Sequence, residues 1–224
     1  MKAPRICIAG LDRARARHVR PVTPWSDPLT RRLLTDEGGS LEIGAVIELG
    51  DPMPVPSPPE SEDHRIATPD LKYVRTLDGD EYLDALAGVC VPDIDAAFGK
   101  DLERRDWKYA VQAGRGRSSL GVVRARRRPV LVFGDSGNLQ LRFNDPQPPT
   151  YLSVTDVRFV EADHRTIRHD VVEDVRRRLD RGVGLYLMLG LARAFRATGD
   201  DRDRHWLQVN GLCLEDRPVG SSAP

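Results

Sequence analysis

The chain has little lysine: of its 34 basic residues only Lys2, Lys72, Lys100 and Lys108 are not arginine. Cysteine is scarcer still, with three residues, Cys7, Cys90 and Cys213. An odd number of thiols, each flanked by aliphatic residues, supports neither a disulfide framework nor a Cys-rich zinc site and suits reduced, buried side chains. The longest apolar run, residues 183–192, is far shorter than the ~20 residues that cross a bilayer, so no membrane partner is expected. The N-terminus, Met1-Lys2-Ala3-Pro4-Arg5-Ile6-Cys7-Ile8, lacks an apolar signal region before a small-residue cleavage site, which predicts a cytoplasmic chain. Net charge is also missing, since 34 acidic residues balance the 34 basic ones. A uniformly basic nucleic-acid binder is thereby excluded, and the distribution of charge becomes the informative quantity.

What is present is enough to build a core. Hydrophobic residues make up 40% of the 224 positions, charged residues 30%, and mean hydropathy is −0.44, as in a soluble globular protein. The length admits one large domain or two compact modules of about 100 residues. In the first half, residues 5–9 read as a short strand, and residues 18–24, with two prolines, as an edge strand or extended loop. Residues 28–35 read as a short helix capped by Asp27 and ended by Gly38-Gly39. Residues 44–50 form a strand bounded by glycines, residues 51–59 a proline-rich loop, and residues 72–77 a strand. Residues 78–87 form a capped helix with Tyr82, Leu83 and Leu86 on one face. Residues 99–119 are polar and glycine-containing and read as a connector or exposed loop.

The second half alternates more clearly. A strand over residues 120–126 runs on, bent at Pro129, to Phe133. Turn residues 134–138 lead into a strand at 139–143, and a further strand spans 151–160. A helix follows at about 168–180, with Val171, Val172, Val175 and Leu179 as its apolar stripe. Strands at 184–192 and 205–214 flank the charged loop 199–204. Counting the bent segment once, the order is β-β-β-α-β-β, the order of a closed oligonucleotide-binding (OB) barrel, with the helix packed on its end by Val171, Val175 and Leu179. An α+β sandwich has the same order. The predicted fold is therefore mainly β with α: two tandem small barrels, residues 1–113 with a Pro-rich insertion and residues 114–224, the second OB-like.

Four phrases resemble the bacterial dual OB domain family: His18-Val19-Arg20-Pro21-Val22-Thr23-Pro24, Glu62-Asp63-His64, Val154-Thr155-Asp156-Val157-Arg158-Phe159 and His205-Trp206-Leu207-Gln208-Val209-Asn210-Gly211. The resemblance spans residues 4–218. It implies two tandem OB folds and a nucleic-acid-binding role, with no catalytic residues to carry over.

The residues themselves point the same way. Arg115, Arg117, Arg124, Arg126, Arg127 and Arg128 lie in a stretch with no acidic residue between positions 114 and 129, a local positive stripe able to follow phosphates; the competing reading is a solvated edge strand protected by charge. Alternation sets Trp206, Gln208 and Asn210 on one face against His205, Leu207 and Val209, which makes Trp206 a candidate base platform. Phe133, Phe143, Tyr151 and Phe159 are further aromatic candidates, with Phe143 assigned to the core beside Leu141, opposite Gln140 and Arg142. The five histidines, His18, His64, His164, His169 and His205, show no i, i+4 metal pair. Asp135, Asp145 and Asp156 could gather carboxylates but suit turns equally. No G-x-S-x-G, P-loop or G-x-G-x-x-G signature is present. The reading is a binder of single-stranded or structured DNA or RNA with no cofactor. Its alternatives are a protein-interaction module that uses residues 51–59 as a ligand segment, and an enzyme acting on nucleic acid or nucleotides.

Overall fold

A computed structural model describes residues 5–24, 26–144 and 148–218; Asp145, one of the carboxylates considered above, lies outside them. The fold is mainly β with few helices. Its strands are β1 (Gly10–Asp12), β2 (Arg17–Val22), β3 (Ala45–Glu48), β4 (Met53–Pro54), β5 (Asp63–Arg65), β6 (Lys72–Thr76), β7 (Cys90–Val91), β8 (Leu102–Arg105), β9 (Lys108–Gln112), β10 (Leu120–Arg124), β11 (Val130–Phe133), β12 (Leu139–Phe143), β13 (Thr150–Val154), β14 (Leu185–Leu191) and β15 (Arg204–Leu214). The α-helices are α1 (Gly79–Val89), α2 (Ile94–Phe98) and α3 (His169–Asp180).

The first half builds a four-stranded sheet in the order β1-β2-β5-β4 and a two-stranded one from β3 and β6. β2 pairs antiparallel with β1 and parallel with β5, so it is not an edge strand. Pro21 is tolerated because the ladder to β1 covers only residues 17–19, while Arg20 N and Val22 O make the bonds to the β5 segment. The proline nitrogen, which cannot donate, thus faces no partner strand. Residues 5–9 are not a strand; only Arg5 bridges to Thr30, and the strand begins at Gly10. The helix expected at 28–35 is replaced by two 3-10 turns, Arg31–Leu33 and Thr35–Glu37, with Gly38 at φ 86° closing the second. The proline-rich segment stays largely on the surface, anchored by the fully buried Pro59 and by the pairing of β4 to β5.

The larger sheet has nine strands, ordered β11-β12-β13-β15-β14-β10-β7, with the β8–β9 hairpin joined to β15 through β9. This ladder path is open, and its members β10 and β11 are consecutive in the chain, separated by residues 125–129. β13 runs parallel to β15, and β14 runs antiparallel to both β15 and β10. Residues 99–119 read in the sequence as a connector or exposed loop. Most of them instead form the β8–β9 hairpin, turned at Asp106 with φ 54°, and bury Ala110 and Val111 completely. The polar composition concealed this because most side chains of the hairpin stay partly or fully exposed, and only the adjacent pair Ala110 and Val111 is buried. β13 stops at Val154, short of the expected residue 160, because Asp156 accepts from Arg158 N at 3.0 Å and starts a 3-10 turn.

α3 closes the core of this sheet with Val172, Val175 and Leu179, each worth about 1.5–3 kcal/mol of burial. Val172, 1% exposed, is the centre of the stripe, and Val171 only its partly buried flank. α1 covers part of the opposite, outer face of β10, β14 and β15. Its capping box joins Glu81 N to Asp78 Oδ1 at 2.8 Å and Asp78 N to Glu81 Oε2 at 3.2 Å. Tyr82 and Leu86 then pack on Val122 and Cys213, and the Tyr82 hydroxyl donates to Met188 Sδ at 3.3 Å.

The two halves meet at Glu62. Its buried carboxylate accepts from Ser119 N at 3.0 Å, Ser119 Oγ at 2.8 Å and Leu120 N at 3.3 Å, with the Ser118 hydroxyl 2.6 Å away. Asp63 beside it accepts from Arg20 at 2.5 Å and Arg193 at 3.0 Å. Glu62→Gln would put an amide N–H where a donor already points. We expect a loss of about 1–3 kcal/mol in unfolding free energy by urea titration; an unchanged midpoint and slope would show that this carboxylate does not couple the halves.

Candidate nucleic-acid interface

The outer face of β12, β13 and β15 is left uncovered by α1 and carries the polar and aromatic side chains. Along β15, residues 205, 207 and 209 are buried, while 206, 208 and 210 are half-exposed. Cross-strand pairing sets Gln140 opposite Ser153 and Arg142 opposite Tyr151 on β12 and β13, and Ser153 beside Gln208 on β15. A cavity of about 170 Å³ opens here, lined by Lys108, Tyr151, Ser153, Phe195, Trp206 and Gln208 among others. The Phe195 and Trp206 ring centroids are 6.4 Å apart, and Lys108 Nζ lies 6.0 Å from the Trp206 ring centroid, within range of cation–π attraction. Trp107, at the tip of the β8–β9 hairpin, is 53% exposed, and Phe195 is 50% exposed.

Several polar groups on this face have no partner among the described residues. Among the described residues, neither Lys108 nor Arg142 has a carboxylate within ion-pairing distance, and the Trp206 indole N–H and Arg142 Nε are buried without an acceptor. Each such orphan costs about 1–3 kcal/mol until something accepts from it. Asn210 differs: its Oδ1 accepts from the Thr155 hydroxyl at 3.2 Å, and its amide lies over Gly190, where a Cβ would come within 2.0 Å of it.

The arginine stretch lies elsewhere. Arg124 is in the row of Tyr186 and Cys213, seven residues along β15 from Trp206, a separation of roughly 20–25 Å at ~3.3 Å per residue. The apolar cluster under α1, at Val122 and Met188, intervenes. Arg124 donates to both Glu215 oxygens, at 2.6 and 3.0 Å, and this bond raises its pKa. Arg128 pairs with Asp180 at 3.2 Å and donates to the Asp180 carbonyl at 3.0 Å. Arg117 donates to the Ala96 carbonyl. Arg115, Arg126 and Arg127 are exposed. The structure therefore groups Trp206, Gln208 and Asn210 but does not bring Arg124 to Arg128 beside them.

Sequence reading missed Lys108, Phe195 and Trp107 at this face. Lys108 and Trp107 sat in a segment taken for a connector. Phe195 lies in a loop with no periodicity, bridged to Arg204 only in the tertiary structure. His18 and His64 line one cavity with Glu62, while His164 and His169 are not among its lining residues. His205 Nδ1 donates to Ala192 O at 2.9 Å and His64 Nδ1 to Glu62 O at 2.8 Å, so both ring nitrogens serve the fold. Burial lowers the His18 pKa. No group of three or more metal-ligating side chains occurs among the described residues. Asp156 binds Arg158 at 2.6 Å and Leu212 N at 3.2 Å, which ties the end of β13 to β15.

A family model described as the dual OB-containing domain matches residues 1–212. The chain belongs to the dual OB-containing domain family. No curated protein and no solved structure matched it. In this family member, the phrases that carry the resemblance supply both contacts between its halves, through Glu62 and Asp63, and the open face, through Trp206 and Gln208. Among the described residues no helix is long and apolar enough to cross a membrane.

The pairing of Arg124 with Glu215 is solvent-exposed, so Glu215→Gln should change stability by no more than ~1 kcal/mol. Urea unfolding of that variant checks it; a loss well above this value would make the pair a structural clamp and remove Arg124 from the candidate binding residues.

Proposed function

We propose that this dual OB-containing protein binds single-stranded or locally unpaired DNA or RNA on the outer face of β12, β13 and β15. The observation that carries the reading is the half-exposed Trp206 ring, with Phe195 and Tyr151 around the same cavity and the unpaired Lys108 ammonium beside it. Aromatic platforms hold bases and an adjacent cation holds the phosphates between them, and OB folds use this sheet face for the purpose. The strand order supports an OB-type Greek-key arrangement for residues 120–214. β10 and β11 act as one bent first strand, β12 and β13 follow, α3 comes next, and β14 and β15 complete the set.

The proposed modules are residues 1–113 and 114–224, with β7, β8 and β9 of the first hydrogen-bonded into the sheet of the second. Arg115, Arg117, Arg124, Arg126, Arg127 and Arg128 enter as a flanking positive surface that a longer strand could reach, while Trp206, Gln208 and Asn210 form the contact face. The site as proposed needs no cofactor and no catalytic residue, and works in the cytoplasm.

Fluorescence anisotropy with single-stranded DNA and RNA at several salt concentrations tests the reading. Trp206→Ala should lose about 1–3 kcal/mol of binding and Trp206→Phe less, because a π face remains. Lys108→Ala should reduce the slope of log K against log salt by about 0.7, one single-strand phosphate contact. If Arg124, Arg126 and Arg128 contact phosphates as well, their joint replacement by Ala flattens the slope by up to about three such units. Salt-independent binding, or wild-type affinity in Trp206→Ala, would reject the interface.

A further inference from the structure

Resting on the binding face above, we infer that its cavity is a reading pocket for one unstacked nucleobase, with Gln208 and Ser153 as the residues that select the base. The cavity measures about 170 Å³, close to the ~150 Å³ that suffices for benzene. It thus has room for one ring system and not for a stacked pair. Its aromatic and aliphatic wall is formed by Tyr151, Phe195, Trp206, Ala192 and Ala197, which suits the flat surface of a base.

A pocket of that kind would be indifferent to sequence if its remaining wall were apolar, since every base has a π face. Here it is not. Ser153 and Gln208 are register partners on β13 and β15 and both line the cavity. Neither side chain makes a hydrogen bond to another described residue. An amide offers one acceptor and two donors, and a hydroxyl offers both. Together they match the donor and acceptor pattern of a base edge, which differs from base to base. The Trp206 indole N–H, buried without an acceptor, adds a donor that a ligand oxygen or ring nitrogen would satisfy.

Division of labour follows. Trp206 and Lys108 act on every base alike, through stacking and phosphate charge, whereas Gln208 acts on differences between bases. Gln208 is suited to this role because its backbone pairs on both sides, with Ser153 and with Gly190. The strand therefore fixes the backbone position from which the amide is presented, and substitution of this partly exposed side chain leaves the core residues Leu207 and Val209 untouched.

The test measures affinities of the full chain for oligo-dT, oligo-dA and oligo-dC of about 15 nucleotides, with Gln208→Ala and Trp206→Ala alongside. The wild-type protein should separate the best from the worst homopolymer by about tenfold, the worth of one good edge contact. Gln208→Ala should collapse that spread to about threefold or less, by weakening the best-bound homopolymer most. Trp206→Ala should weaken all three together. Equal wild-type affinities, or an undiminished spread in Gln208→Ala, overturn the reading pocket while the binding face stands. Failure of every oligonucleotide to bind overturns the face itself.

Discussion

Buried where the first half of the chain meets the second, the Glu62 carboxylate accepts from the Ser119 and Leu120 amides and from the Ser119 hydroxyl. A carboxylate taken out of water must be satisfied in this way or it costs several kcal/mol. The consequences run along the sheet. Ser119 O in turn accepts from Leu191 N, and Leu120 lies opposite Gly190. Gly190 is the register partner of Gln208. One buried acid thus pins where β10 begins and how it aligns on β14, the strand that pairs with β15.

The same economy governs the charges. The chain is neutral overall, and much of its arginine is spent on internal pairing: Arg20 with Asp63, Arg193 with Glu60 and Asp63, Arg178 with Asp216, and Arg204 with Asp200. Guanidinium groups suit buried or half-buried pairs because their planar fork meets two carboxylate oxygens at once. Lys108 and Arg142 are among the cations with no such partner among the described residues, and both belong to strands that border the open outer face. A net charge of zero therefore says little about the field at that surface, where an ammonium stands beside an aromatic cavity while Arg124 and Arg128 are distant and paired.

α1 defines the outer face as much as the sheet does. By burying Val122, Met188 and Cys213 under Tyr82 and Leu86, it removes one end of the outer surface from solvent. Gly211 permits this, since a Cβ there would come within 2.6 Å of the Met188 terminal methyl. What remains open is the end bearing Trp206, bordered by the Trp107 hairpin and the loop that carries Phe195.

Local patterning determined much of this protein. The period-two runs at β12, β14 and β15, the 3.6-residue stripe of α3 and the Asp78 cap of α1 all report themselves within a few residues, because alternation, helical repeat and capping are short-range consequences of which atoms must be hidden and which donors satisfied. So did the split on β15 between residues 206, 208, 210 and residues 205, 207, 209. Family membership was legible too, in phrases whose residues turn out to carry buried pairs. Only the tertiary structure decided that residues 102–112 form a hairpin on β15, that β2 is paired on both sides despite Pro21, that Arg124 meets Glu215, and that Lys108, Tyr151, Phe195 and Trp206 share one cavity. Each of these joins groups far apart in the chain, and no local period records a contact whose partner is supplied by another strand.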